Sequence, residues 1–367
     1  MSSTQFREPG SLVIFEYFSG GGSRFFQKEL VLEGLSMASA LFKTFSELDG
    51  ISVYLLLRKD LPPHLIPGEG RIISVPPGKG TEMFIRECRR SEFAVLVAPE
   101  TDGISERISG LIPETGVKFL GSDPGAVELA SNKALLMRAM ELNGLPIPRW
   151  CVAREVRAML ATAEEIGYPV AGKPLQGTSC EGSVLFFGSS DIESYFARED
   201  NERLVLLLQS LIQGEAMSLS LVVGRSGKAR LLSVNTQDVS ISLEKGINGT
   251  GVRHFIYNGG VSGVEETRFS KKGVWGWSDM ENLAQRVVSA IPGLMGYAGI
   301  DFVMTDKGPV VLEVNPRLTT PLAIAGAIAS WNIGKVLLEA CVEDSLPQQV
   351  EVPAISFRKN GLVDGSL

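Results

Sequence analysis

Residues 299–317 read GIDFVMTDKGPVVLEVNPR, two apolar runs separated by a polar turn. The pattern predicts two adjacent strands joined by a short turn at residues 305–308. Such a hairpin places Asp301 beside Glu313, and Asn315 shares a strand face with Glu313 because side chains two residues apart point the same way. Two carboxylates and an amide oxygen form the hard, oxygen-only site that Mg²⁺ prefers. We therefore predict that these three side chains hold Mg²⁺, with Mn²⁺ as an alternative.

Another interpretation of the hairpin is that its acidic side chains simply face solvent. Glu313, however, lies between Leu312 and Val314 in a run that predicts a buried strand, where an unpaired carboxylate is costly. The metal site is therefore the favoured interpretation.

Composition limits the classes of protein to which the chain can belong. Its 367 residues, 44% hydrophobic and 21% charged, suffice for two or three compact units of an ordinary globular protein. The 35 basic and 42 acidic residues give a net charge of −7, which argues against a general nucleic-acid or membrane-surface binder. A local cationic pocket for phosphates remains compatible with this balance.

Cysteines, histidines and the N-terminus exclude further classes. The 4 cysteines are scattered without CxxC pairs, which fits reduced thiols better than a disulfide framework or a zinc site. With 2 histidines, a histidine-rich metal site is excluded. The first residues lack the apolar segment of a signal peptide, and no run of about 18 apolar residues occurs. We expect a cytoplasmic protein that binds small molecules, without nucleic-acid or membrane partners; a homodimer is an open alternative.

The chain divides into three predicted units and a tail. Apolar runs alternate with helical patterns over residues 1–123, which predicts an N-terminal α/β domain with a doubly wound parallel sheet. Residues 124–203 predict a small α+β subdomain that contains a glycine loop, and residues 204–350 predict a C-terminal subdomain that contains the metal site. The tail, residues 351–367, has no interpretable pattern. The fold class is therefore α/β and α+β.

Local patterns predict several individual elements. Helices are expected at residues 25–48, 124–143, 279–290 and 322–342, the second capped by Asp123 and closed by Gly144. The stretch 242–263 is rich in glycine and asparagine and predicts a long functional loop. Ser19-Gly-Gly-Gly22 lacks the GxGxxG spacing of a dinucleotide site, so a turn that brings backbone near a second substrate is favoured.

The phrase GIDFVM…VVLEVNPR resembles the C-terminal signature of the ATP-grasp family, whose members join a carboxylate to an amine or similar nucleophile using ATP. The resemblance implies the ATP-grasp fold with an N-terminal parallel-sheet domain, and ATP and Mg²⁺ as cofactors. It also implies roles for two lysines: Lys133 meets the nucleotide phosphates, and Lys173 contacts the α-phosphate. An isolated lysine at either position would more commonly be solvated.

Residues 177–183 are similar to the mobile loop that covers the phosphates in this family. Glycines let the backbone approach a phosphate closely, and backbone N–H groups can wrap the anion. Alone, the segment fits a flexible hairpin loop equally well. The candidate contacts are Gly177, Thr178, Ser179, Gly182 and Ser183.

The segment from residue 208 to residue 215 resembles the family hinge that grips adenine through backbone groups. The resemblance places adenine against Gln209, Ser210, Leu211 and Ile212. Here the chain departs from the common pattern, because many members have a glutamate where Gln209 stands. The position of the family's usual ribose-binding acid corresponds to Ala216, which is not acidic, or, with a one-residue shift, to Glu215.

The mechanism implied by the resemblance is amide formation through an acyl phosphate. Lys173 and Arg317 are the candidate catalytic residues, acting by preorganised electrostatics rather than covalent chemistry. Arg317 is expected to hold the acyl phosphate or a substrate carboxylate. The alternative interpretation is that Arg317 is an ordinary surface arginine. Thr319, Thr320 and Arg253 are further candidate substrate contacts; Lys245 and His254 are weaker ones.

Three phrases narrow the resemblance to the tyramine–glutamate ligase branch of the family: residues 14–22 (IFEYFSGGG), 97–103 (VAPETDG) and 315–320 (NPRLTT). That branch attaches glutamate to tyramine or a related amine in building methanofuran-type carriers. The implied reaction activates the γ-carboxylate of L-glutamate for attack by tyramine or tyrosine. The alternatives are another carboxylate–amine ligase with a pterin or amino-acid acceptor, and a non-catalytic nucleotide-binding regulator.

Overall fold

The computed structural model of the protein describes residues 7–178, 180–197, 205–245, 251–270, 275–348 and 350–361. Two sheets organise this part of the chain. The strands of the first sheet are β1 (Glu8–Glu16), β2 (Ser52–Arg58), β3 (Arg71–Val75), β4 (Ser91–Val97) and β5 (Lys118–Phe119). They pair in parallel in the order β3-β2-β1-β4-β5, as expected for a doubly wound domain.

The central strand β1 is apolar on both faces because helices cover both sides of the sheet. Leu12 and Ile14 pack with α1 (Lys28–Ser46), whereas Val13 and Phe15 pack with α2 (Gly80–Cys88) and α3 (Ile104–Leu111). The chain leaves β1 towards β2 on one side and leaves β4 towards β5 on the other. The carboxyl ends of β1 and β4 therefore form a topological switch point, where open parallel sheets bind their ligands.

The second sheet is antiparallel throughout its described pairs and contains strands from both predicted subdomains. Its strands are β6 (Trp150–Ala153), β7 (Val170–Pro174), β8 (Val184–Phe186), β9 (Leu206–Ser210), β10 (Glu215–Val223), β11 (Ala229–Lys245), β12 (Gly251–Ser262), β13 (Gly296–Thr305), β14 (Gly308–Asn315) and β15 (Ile355–Arg358). The order is β14-β13-β10-β11-β12-β8-β7-β9-β6, with β15 beside β12.

Helices cover this sheet and complete two of its apolar cores. They are α4 (Pro124–Ser131), α5 (Lys133–Leu142), α6 (Val156–Ile166), α7 (Ser189–Phe196), α8 (Glu266–Phe269), α9 (Trp277–Ser289), α10 (Thr320–Gly326) and α11 (Ile333–Leu338). One core packs α5 and α9 against β10 and β13, and another packs α6 and α7 against β7 to β9. No helix among the described residues has the length and apolar character needed to cross a membrane.

The prediction of a single helix over residues 124–143 is wrong, because the helix is interrupted at Asn132. This residue is extended, with φ −94° and ψ 107°, and its side chain accepts hydrogen bonds from the N–H groups of Ala134 and Leu135. Asn132 thus caps a second helix, whereas Asp123 makes no side-chain cap to the first. The break places Lys133 in the first turn of α5.

Two further expectations about local structure are also wrong. The helix predicted at residues 322–342 is divided into α10, α11 and a π-helical turn at Glu339–Glu343. The predicted loop at 242–263 is instead formed largely by β11 and β12, which pair over ten positions. The glycines there permit close strand packing: a Cβ at Gly260 would lie 2.0 Å from the carbonyl oxygen of Thr236.

Candidate active site

The predicted metal ligands lie together at the β13–β14 hairpin. Asp301 and Glu313 are directly paired across the two strands, and Gly299 is paired with Asn315, next to a bulge that follows Asp301. Asn315 donates its side-chain N–H to Oδ2 of Asp301 at 3.3 Å, and Gln237 of β11 donates to Oδ1 at 2.9 Å. The hairpin therefore presents two carboxylates and an amide on one surface.

Burial makes the negative charge of the Asp301 carboxylate costly unless a cation is near. Loss of solvent and, to a lesser extent, the nearby Glu313 carboxylate together raise the pKa of Asp301 to about 7, against the lowering effect of the hydrogen bonds from Asn315 and Gln237. A divalent cation between the two carboxylates would remove this repulsion. Among the described residues there is no cluster of three or more His, Cys, Asp or Glu side chains that could hold a metal. A metal ion held here would therefore need the amide oxygen of Asn315 as its third protein donor, with water and phosphate completing the oxygen set.

Two lysines approach the same hairpin from the small subdomain. Lys133 Nζ lies 3.3 Å from Oε1 of Glu313 and donates to the carbonyl oxygen of Gly177 at 2.9 Å; its side chain is only 6% exposed. Lys173, on β7, has its pKa lowered by burial, an effect opposed by Glu313 and reinforced by Lys133. The two ammonium groups thus face the carboxylates of Asp301 and Glu313 near one end of a cleft.

The glycine loop contacts Lys133 and lines cavities beside helix α1. Gly177 accepts the Lys133 hydrogen bond, Gly182 has φ +66°, and the carbonyl oxygen of Ser183 accepts from the N–H of Phe255. Thr178 faces the cavities beside helix α1. Ser179 lies outside the described residues.

The predicted adenine hinge follows the same face of the sheet as Lys173. Lys173 pairs with Leu207, and Ala171 pairs with Gln209, so Lys173 and Gln209 point to the same side of β7 and β9. Gln209 is 2% exposed, and within the described chain its side-chain Nε2 lacks a hydrogen-bond partner. A buried, unsatisfied donor suits a ligand with a ring nitrogen or carbonyl acceptor.

The rest of the hinge is partly committed to other contacts. The N–H of Leu211 donates to the carbonyl oxygen of Pro169, and the hydroxyl of Ser210 accepts from the N–H of Arg149. Ile212 is half-buried. Glu215 begins β10 and forms an ion pair of 2.7 Å with Arg268.

Arg317 joins the C-terminal subdomain to the N-terminal domain. Its Nε and NH2 groups donate to the two carboxylate oxygens of Glu100 at 2.9 and 3.0 Å, and Glu100 is 2% exposed. Burial opposes the charge on Arg317, but Glu100 outweighs it and raises the arginine pKa. The guanidinium is therefore charged and held in one orientation.

A cavity of about 110 Å³ extends from the β13–β14 hairpin to Arg317. Its walls include the metal-site side chains, Arg317, Thr319 and Thr320, together with Glu33 of α1 and Tyr257 of β12. Thr320 donates its hydroxyl hydrogen to Oε1 of Glu33 at 2.7 Å. Arg253, by contrast, lies outside this wall: its guanidinium is 4.6 Å from the ring centre of Phe187 and 3.7 Å from Asp191.

Comparison with known proteins decides the family. The ATP-grasp domain profile matches residues 130–321, and the pre ATP-grasp 3 domain profile matches residues 51–127. The chain belongs to the ATP-grasp family. The predicted family and fold are thereby confirmed, as is the prediction of an ADP-forming carbon–nitrogen ligase.

Among curated relatives, the tyramine–L-glutamate ligase of Methanocaldococcus jannaschii is 26% identical over 93% of this chain and 92% of its own. The D-alanine–D-alanine ligase of Mycobacterium tuberculosis is 25% identical over 68% of this chain and 66% of its own. Among solved structures, an ATP-grasp superfamily protein from Archaeoglobus fulgidus superposes with a TM-score of 0.63 at 21% identity, covering 94% and 92% of the two chains.

A further solved structure shares the fold of this chain. The biotin carboxylase domain from Hydrogenobacter thermophilus, in complex with magnesium ADP and bicarbonate, superposes with a TM-score of 0.66 at 16% identity, covering 94% of this chain and 71% of that one. This likeness concerns the fold.

Sequence reasoning missed several residues of this ATP-grasp cleft. Glu16 and Glu100 lie inside the phrases that carried the branch resemblance, but no role was assigned to either. Gln237 and Tyr257 fall in or beside the stretch that was predicted as a loop. Glu33 lies inside an amphipathic helix, where an isolated acid gives no signal.

Proposed function

We propose that the protein joins the γ-carboxylate of L-glutamate to tyramine or tyrosine, in methanofuran-type or methylofuran-type cofactor biosynthesis, with release of ADP and phosphate. The observation that carries the proposal is the convergence of the Asp301–Glu313 pair, Lys133 and Arg317 around one cleft. The full-length similarity to tyramine–L-glutamate ligases supports the choice of substrates.

In this proposal the nucleotide lies along the face of β7 and β9, with adenine near Gln209 and its phosphates between Lys133 and Lys173. The lysines offset phosphate charge, and the backbone of the glycine loop encloses the anion. Glu215 takes the ribose hydroxyls after giving up Arg268. Asp301, Glu313 and Asn315 would hold Mg²⁺ or Mn²⁺, which would neutralise phosphate charge when bound.

The chemistry then proceeds on the substrates. A carboxylate oxygen of glutamate attacks the γ-phosphorus, the bond to the β-phosphate oxygen breaks, and ADP leaves. The amine nitrogen, after its ammonium form has lost a proton to solvent, attacks the resulting acyl phosphate carbon. Inorganic phosphate departs, and loss of a second proton from the nitrogen gives the neutral amide. Arg317, oriented by Glu100, stabilises negative charge that develops on the acyl phosphate, while Thr319 and Thr320 position the substrate.

The decisive experiment measures ADP and phosphate release by the full chain with Mg-ATP, L-glutamate and a panel of amines, with mass detection of products. The panel contains tyramine, tyrosine and D-alanine. A γ-glutamyl amide formed with ADP supports the proposal. ADP release with another acceptor would keep the ligase and discard these substrates, and ATP binding without turnover on any pair would favour a nucleotide-binding regulator.

A further inference from the structure

We propose that Glu33 binds the primary ammonium group of the acceptor amine, whose apolar body lies in the outer cavity beside helix α1. This inference rests on the proposed function and names the residue that selects the acceptor. It assigns the first turns of α1 to substrate recognition, which neither the motifs nor the comparisons address.

Glu33 lies where two parts of the molecule meet. It projects from α1 near the switch point at the ends of β1 and β4, in a small space that Glu16, Val97 and Arg317 also line. It also lines the cavity that contains Asp301 and Glu313. A group bound to Glu33 is therefore next to the cavity in which the carboxylate would be activated.

The surroundings of Glu33 supply a hydroxyl donor but, among the described residues, no cation at ion-pair distance. Thr320 donates one hydrogen bond to it, but among the described residues Glu33 has no ion-pair partner within 4.0 Å. The nearby cation Arg317 donates its Nε and NH2 hydrogen bonds to Glu100 rather than to Glu33. Lys359 is the other cation that acts on Glu33. A primary ammonium has three donors and a compact charge, which suits this partly buried carboxylate.

Glu16 strengthens the case for a charged ligand. It is 2% exposed, accepts hydrogen bonds from the N–H and hydroxyl groups of Ser19, and faces α1 at Gly34, where a Cβ would lie 2.1 Å from its Oε2. The next residue along α1 after Glu33 is thus fixed as glycine by the Glu16 carboxylate. A carboxylate that already has two donors from Ser19 leaves Glu33 as the more available acceptor.

The outer cavity gives the body of the amine a place. It measures about 480 Å³ and is lined by Leu30 of α1, by Phe255 and Tyr257 of β12, and by Thr178 and Gly182 of the glycine loop, with charged side chains of both signs around these groups. Leu30 and Glu33 are one helical turn apart, about 4.5 Å along the axis. An elongated amine with an aryl or alkyl body can therefore contact Leu30 with its body and Glu33 with its ammonium group.

The test compares a ligand pair and a variant pair on the full chain. Calorimetry measures binding of tyramine and of 4-ethylphenol, which lacks the ammonium group, in the presence of Mg-ADP. The wild type should prefer tyramine by roughly 10- to 100-fold, the range expected for a hydrogen bond to a charged group. Glu33→Gln, which keeps the oxygen that accepts from Thr320, should abolish this preference, whereas Glu33→Asp should retain part of it.

Glu114→Gln is the matched control, because it removes the same charge from an exposed turn remote from the cavity. Equal tyramine preference in wild type and Glu33→Gln would overturn the inference, as would a wild type that does not distinguish the two ligands. A change in the KM for L-glutamate alone would assign Glu33 to the donor and also overturn it. If tyramine preference depends on Glu33 but no amide forms, the proposed function fails and the ammonium site stands.

Discussion

Two antiparallel strand pairs of the same sheet contribute to the cleft in different ways. The β13–β14 hairpin spans residues 296–315, and its short turn brings Asp301 and Glu313 together locally. The β11–β12 pair is longer and supplies side chains such as Gln237 and Tyr257, which act on groups far away in sequence. In our proposal the β13–β14 hairpin would hold the cation, whereas the β11–β12 pair shapes the space for substrates.

The difference shows that residues paired within one hairpin can be recognised from the sequence, whereas contacts between residues distant in sequence cannot. Burying an unpaired carboxylate in an apolar hairpin is costly, so an acidic residue there indicates a bound cation or another partner. Glycines in the β11–β12 pair have a packing reason instead, since Gly259 has φ +134° and a Cβ there would lie 2.0 Å from the carbonyl oxygen of Phe357. Changes in the first pair should therefore abolish chemistry, and changes in the second should mainly affect binding or stability.

The largest effect is expected for Glu313→Gln in β14. Removing one carboxylate weakens the cation site and removes the ion-pair partner of Lys133, so kcat should fall by about 10³-fold. The melting temperature of the nucleotide-free protein should change little. Steady-state ADP release and thermal melting test this, with Glu281→Gln, in a surface ion pair with Arg230, as the control. Retained activity would refute the metal assignment.

Arg317→Ala should have the next largest effect. Because Arg317 is expected to act on the acyl phosphate, kcat should fall by roughly 10²-fold while ATP affinity stays within about 3-fold. Glu100→Gln, which weakens the hold on the guanidinium, should produce a smaller loss of kcat. Single-turnover kinetics and nucleotide binding separate the two effects. A defect confined to ATP affinity would contradict this role.

A pH profile should distinguish the metal end from the rest of the cleft. Since the pKa of Asp301 is raised to about 7, protons compete with the cation below that pH and cease to compete above it. The Mg²⁺ concentration that half-saturates nucleotide binding should therefore fall by about 10-fold between pH 6 and pH 8. Magnesium titrations at fixed ADP would show this, and a flat profile would count against Asp301 as a ligand.

The smallest effect on activity is expected for Arg253→Ala in β12. Its guanidinium packs on Phe187 and lies near Asp191 rather than in the cavity. The kinetic constants should change by less than about 2-fold, and the unfolding free energy should fall by about 1 kcal/mol. Denaturant unfolding and steady-state assays measure both. A large rise in the KM of either substrate would restore Arg253 to the substrate-binding set.

The sequence by itself determined the features that follow from local pattern. Apolar runs alternating with helices predicted the parallel sheet around β1, and the β13–β14 hairpin predicted the pairing of Asp301 with Glu313. Boundaries were less secure, because a single asparagine at position 132 both ends one helix and caps the next. That choice depends on the hydrogen bonds its side chain makes in the folded chain.

Only the tertiary structure decided which distant groups meet. Glu100 and Arg317 are separated by 217 residues, and Glu33 and Thr320 by 287, yet each pair is hydrogen-bonded. No periodicity in the sequence records such contacts, since each residue obeys the rules of its own element. They arise because the switch point of the first sheet packs against the end of the second sheet. Burial there makes an unpaired charge costly, which favours contacts such as these two.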